Sequence, residues 1–208
     1  MAAVAEQARI TAVAAYLDLA QPDLGAAVRR LAEAGHNRAV VVPLLFTEAY
    51  HATIDVPQTV GEVAASHPLQ LIVGDILGTG DDVADLLRRS MVASGMADHS
   101  SVLLFAVGSS NPAANKAVVD LAARLAEGRH GLVRACFGTC RPGVLDVLDR
   151  LPEPVAALPL FLADGLLLGP LRTLASERGW QMAEPLGERA ADLVWKRYHT
   201  AYEQAHLR

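Results

Sequence analysis

VVVPLLFTEAYH (40–51) and VAALPLFLADGLL (155–167) are two versions of one pattern: an apolar run, a proline, a further apolar pair and then a turn. Placing Pro43 on Pro159 sets an offset of 116 residues. Upstream, AYLDLAQPDL (15–24) falls on ACFGTCRPGV (135–144), which places Pro22 on Pro142 at an offset of 120 and implies a shorter loop in the second copy. Further apolar runs are LQLIVG (69–74), SVLLFAVG (101–108) and LVRACFG (132–138), and the proline-bearing runs extend over AVVVPLLF (39–46) and VAALPLFLA (155–163). Short runs without polar alternation suit strands covered on both faces, which predicts a parallel sheet flanked by helices. Amphipathic patterns over 81–96, 111–127 and 189–205 predict helices, with Asp81 and Asn111 at N-cap positions and Pro112 at a first helical position. The expected fold is α/β: two similar doubly wound parallel-sheet domains made by internal duplication, 1–98 and 99–208.

The duplication also predicts a difference between the halves. Carried back by 120 residues, the strand SVLLFAVG and most of the helix after it fall ahead of Met1, so the first half is expected to begin inside its first helix, without its first strand. Across 208 residues, 18 Lys and Arg stand against 23 Asp and Glu, a net charge of −5 with no basic run. That balance argues against a nucleic-acid partner, which would need clustered cations. The most apolar stretch, 155–171, is broken by Asp164, Pro159, Pro170 and glycines, well short of the ~20 apolar residues of a membrane helix. With no secretory pattern at the start and two cysteines, Cys136 and Cys140, read as reduced and structural, a cytoplasmic protein is expected.

In open parallel sheets, ligands bind beyond the carboxyl ends of the strands. In the first half those positions are Asp18, after TAVAAYL (11–17), and Glu48, Tyr50 and His51, after VVVPLLF; their second-half counterparts include Gly138 for Asp18 and Leu167 for His51. One copy is polar and the other blank. An imidazole and a carboxylate converging from adjacent strand ends can hold a borderline divalent metal and accept protons. Asp55 is read as the N-cap of a helix starting at Pro57, which separates it from His51, and the other six histidines as surface residues. Gly78-Thr79-Gly80 reads as a strand-to-helix turn, and no phosphate loop, nucleophile elbow or dinucleotide fingerprint is present.

These residues carry a family resemblance. VVVPLLFTEAYHATIDVP resembles the segment of the CbiX-type sirohydrochlorin chelatases in which a strand ending in Pro-Leu-Phe/Leu is followed by a histidine and then D-[IV]-P. YLDLAQPDL resembles their Phe/Tyr-Leu-Glu-Leu-Ala-x-Pro stretch, with Asp18 where a glutamate is usual, and SVLLFAVGSSNP and VAALPLFLADG resemble a degenerate second copy. The resemblance implies two domains facing a cleft, insertion of Fe²⁺ or Co²⁺ into sirohydrochlorin, no organic cofactor, and a monomer or weak homodimer. It implies His51 and Asp18 as metal ligands and catalytic groups. A further histidine, in a G/A-H-G-[ST] motif, has no counterpart here, and Val107 stands in its place in the second copy. A flat ring edged by carboxylates calls for arginines, whose planar fork suits them. Arg141 and Arg172 are the candidates, with Glu48 and Tyr50 as further substrate contacts. The alternative is a relative that binds a tetrapyrrole or metal without catalysis.

Overall fold

A computed structural model describes residues 10–17 and 20–207. One fully covered strand is β3, Ser101–Ala106, buried at all six positions. β3 pairs in parallel with β4 (Val133–Phe137) on one side and β5 (Val155–Pro159) on the other, and β5 pairs in parallel with β6 (Gln181–Met182). The resulting order, β4-β3-β5-β6, reverses direction between β3 and β5, the arrangement of a doubly wound sheet. The continuous apolar sequence of β3 and β5 is explained by this central placement, since neither strand has a face turned to water. Helices at Pro112–Ala126, Val144–Leu148 and Leu168–Arg178 form the crossovers. The core joins Leu103, Phe105, Cys136, Val147, Leu151, Ala157, Leu168 and Leu171.

Local signals set the helix starts. Asn111 accepts a hydrogen bond from the Ala113 amide at 3.0 Å, with Pro112 just inside the helix as expected. At Asp81–Ala93 the cap is Gly80, one residue before the expected Asp81. Asp81 and Asp82 instead occupy the first turn, where carboxylates complement the helix dipole.

In the first unit, β1 (Arg38–Val41) pairs in parallel with β2 (Gln70–Val73). The helices Leu24–Glu33 and Val56–Ser66 pack against each other, and Ala191–His206 packs on both strands. Hydrogen bonds in the two halves are similar. Tyr16 N–H donates to Pro22 O, and Phe137 N–H, one position beyond the counterpart of Tyr16, donates to Pro142 O, both at 2.9 Å. Gly74 N–H donates to Val41 O as Ala183 N–H does to Ala157 O, again at 2.9 Å. The expected strand TAVAAYL is not one: over residues 10–17 the only pairing is a single bridge from Tyr16 to Asp23. Its counterpart β4 is a strand because β3 lies beside it, and no equivalent of β3 occurs among the described residues. β1 likewise stops at Val41, and its residues are exposed or half-buried where those of β5 are buried.

The compact units are Met1–Gly78 with Ala191–Arg208, and Thr79–Ala190. They divide the chain differently from a boundary at 98. The helix Asp81–Ala93, expected in the first half, belongs to the second unit, and Ala191–His206, expected in the second half, belongs to the first. Each half of the duplicated sequence thus gives its last helix to the other unit. Arg197 fastens one of these helices: its guanidinium donates to the carbonyls of Ile76 (2.8 Å) and Leu77 (2.5 Å) in the loop after β2.

Two expected results follow from packing in the second unit. A Cβ at Gly131 would sit 2.0 Å from the Ser100 carbonyl oxygen, inside the turn that leads to β4. Gly131→Ala therefore destabilises by about 1–3 kcal/mol, measurable by urea unfolding, because backbone must move to admit one methyl group. Burial in the core pushes the Cys136 thiol up to about 12, whereas Cys140 is partly exposed. A thiol reagent at about pH 8 is expected to modify Cys140 and to reach Cys136 only on unfolding, since the thiolate is the nucleophile. An unfolded Cys136 ionises near 9.0 while the native one stays protonated. This residue's contribution to stability therefore falls as pH rises from about 9 to 12.

Candidate metal centre

After β1 the chain runs through Pro43, which cannot extend a ladder that needs its N–H, into a loop held by Gly78 N–H donating to Leu45 O at 3.2 Å. A π-helical turn, His51–Asp55, follows and passes directly into the helix Val56–Ser66. The wide turn has a local cause. Val56 N–H reaches back five residues to His51 O, and Pro57 has no N–H with which to restore the ordinary four-residue spacing. Such turns are frequent at functional sites.

The π turn brings together two residues that the sequence reading kept apart. His51 Nδ1 lies 2.6 Å from Asp55 Oδ2, with the imidazole 56% and the carboxylate 29% exposed. Pro57 does not end the helical segment ahead of Asp55. Asp55 holds the N-cap position with helical backbone angles, φ −65° and ψ −46°, and its side chain caps nothing. A carboxylate can only accept, so it meets Nδ1–H instead; in the neutral ring this puts the lone pair on Nε2, which no hydrogen bond reaches among the described residues. Tyr50 stands edge-on to this ring at 6.4 Å and is 63% exposed. The signal for the pair was present in the sequence as the i, i+4 spacing of His51 and Asp55.

Asp18 lies outside the described residues. Among the described residues no group of three or more His, Cys, Asp and Glu side chains is placed to hold a metal ion. The second unit shows where Asp18's counterpart goes. A Cβ on Gly138 would lie 3.7 Å from Leu167 Cδ2 and 3.1 Å from the ring of Phe105. Val107 is adjacent, its carbonyl accepting from Gly138 N–H at 3.1 Å. The three positions that are blank in the second copy therefore meet at the carboxyl ends of β3, β4 and β5.

The remaining candidates are dispersed. Glu48 is exposed in the loop before His51. Arg141, 89% exposed, pairs with Asp146 at 3.2 Å. Arg172 is committed elsewhere: one nitrogen meets Asp164 at 2.5 Å and Glu184 at 2.8 Å. Hydrogen bonds to Glu184 and Asp164 hold its guanidinium firmly protonated, and two carboxylates already balance its charge. Arg172 thus differs from the open anchor expected of it.

The CbiX family model matches residues 1–94 and 101–199. The chain belongs to the CbiX family. Among curated relatives, sirohydrochlorin ferrochelatase of Priestia megaterium is 27% identical over 166 residues, which cover 76% of this chain and 62% of that protein. Sirohydrochlorin cobaltochelatase of Sulfolobus acidocaldarius is 29% identical over 74 residues, 36% of this chain and 58% of that one. The matched region spans 62% of the first relative's length. Among solved structures, SirB from Bacillus subtilis with Fe³⁺ superposes with a TM-score of 0.79 at 22% identity, over 99% of this chain and 90% of SirB. A CbiX described as the terminal enzyme of siroheme biosynthesis in denitrifying bacteria gives 0.59 at 19% identity, over 80% and 76%. This CbiX-family chain shares the α/β fold of those proteins.

Proposed function

We propose that the chain inserts Fe²⁺ or Co²⁺ into sirohydrochlorin, as a lyase that needs no organic cofactor. The observation that carries the proposal is His51, set after β1 on a π turn with Nδ1 engaged by Asp55 and Nε2 open. The family and the names of its curated relatives supply the reaction class. Insertion exchanges two pyrrole protons of the macrocycle for one divalent metal ion. The protein must hold the incoming metal without enclosing it, help both protons leave, one by way of a side chain and the other to water, and position the ring. His51 is assigned the first task through Nε2. Asp18 is assigned as a second ligand and proton acceptor, supported by the meeting of Gly138 with Leu167 in the second copy. The half that carries Val107, Gly138 and Leu167 is assigned an apolar wall with no metal; Glu48, Tyr50 and Arg141 are assigned contacts with the carboxylate-edged ring.

The direct test follows the absorbance of sirohydrochlorin on adding Fe²⁺ or Co²⁺ with and without the protein. A catalysed change supports insertion; tight binding of ring or metal with no gain in rate replaces the enzyme with a holding protein. Crystals soaked in Co²⁺ are expected to show an anomalous peak beside His51 and none beside Leu167, and a peak at Leu167 would reverse the assignment of the two halves.

A further inference from the structure

We infer that Asp55 is a positioning residue, fixing the His51 ring and its tautomer so that Nε2 presents a lone pair to the incoming metal; this rests on the reading of His51 as a ligand. A side chain as exposed as His51 would otherwise rotate freely, and a neutral imidazole in water favours the proton on Nε2, which blocks the nitrogen that Asp55 leaves without a partner. The 2.6 Å contact to Asp55 Oδ2 opposes both tendencies by holding the proton on Nδ1. A carboxylate behind a metal-binding histidine orients the ring and raises its basicity as a ligand. Three observations separate this role from helix capping. Asp55 makes no cap hydrogen bond, its backbone is already helical, and the π turn supplies the register that brings its carboxylate to Nδ1. The second copy agrees, because at the offset that places Pro43 on Pro159, Leu167 stands for His51 and Leu171 for Asp55. The ligand and its support are absent together.

The test compares the wild-type chain with Asp55→Ala, Asp55→Asn and His51→Ala in three measurements: affinity for Co²⁺ alone, kcat and metal KM for insertion, and the ¹⁵N spectrum of the His51 ring without metal. Asp55→Ala is expected to weaken Co²⁺ binding or insertion by about 10–100-fold and to move the ring proton toward Nε2. Asp55→Asn, whose amide oxygen also accepts from Nδ1–H, is expected to recover most of the affinity and the wild-type tautomer, a rescue that loss of folding would not allow. If His51→Ala abolishes Co²⁺ binding while Asp55→Ala keeps wild-type affinity and tautomer, the positioning role is overturned and the metal site stands. If His51→Ala leaves Co²⁺ binding and insertion unchanged, the functional reading falls and this inference with it.

Discussion

His51→Ala is expected to lower the proposed metal insertion into sirohydrochlorin by about 10²-fold or more, with Fe²⁺ and Co²⁺ alike. The size of the effect follows from how few ligands share the task. The proposed site counts one imidazole and one carboxylate, so removing the imidazole takes away half of its assigned donors. Asp18→Ala is expected to cost a similar factor, and the double variant about as much as either single one, because two groups that act on one metal do not contribute independently. A double variant whose loss is the product of the single losses would show that the two residues serve separate steps. Tyr50→Phe keeps the edge-on ring beside His51 and removes only the hydroxyl assigned to the carboxylate-edged ring, so it is expected to raise the KM for sirohydrochlorin more than it lowers kcat.

The largest structural effect is expected at Leu103. It is fully buried in the middle of β3, between two parallel neighbours, and its side chain joins the cluster that links Phe105, Cys136, Ala157 and Leu168. Leu103→Ala removes three carbon atoms where closely packed strands limit collapse into the space, at a cost of about 2–5 kcal/mol. That is a large share of the about 5–15 kcal/mol by which domains are stable. Amide exchange across β3, β4 and β5 reports the loss directly, and a change under about 1 kcal/mol would mean that the core of this unit lies elsewhere.

β3 and β5 were legible because each lies inside a finished sheet: an unbroken apolar run is what two covered faces require, and both have it. β4 was legible despite its exposed Arg134, whereas the two-residue edge strand Gln181–Met182 carries too short a pattern to be read. TAVAAYL carries an apolar run too without becoming a strand. A strand is a relation between two segments, and its partner is not among the described residues. His51 was legible as a candidate from its place after a strand and its loss in the second copy. The role of Asp55 was not, because capping propensity and the rule that proline ends a helix both argued against a contact with His51. Those rules describe a four-residue repeat, and the five-residue bond from Val56 to His51 sidesteps them. The ion pairs of Arg172 were not legible for a related reason: sequence spacing does not reveal that Asp164 and Glu184, eight residues before and twelve after it, meet the same guanidinium.

The exchange of terminal helices sets an order of events during synthesis. Thr79–Ala190 is one continuous stretch, so the second unit has all of its chain once Ala190 has left the ribosome. The other unit waits for its final helix, because β1 and β2 are covered by Ala191–His206 and the loop after β2 is fastened by Arg197. Domains usually fold from the N-terminus as they emerge. Here the N-terminal segment, with the candidate metal centre, is the last to close, and a nascent chain stalled before Ala191 would hold a finished second unit and a first unit still without its covering helix.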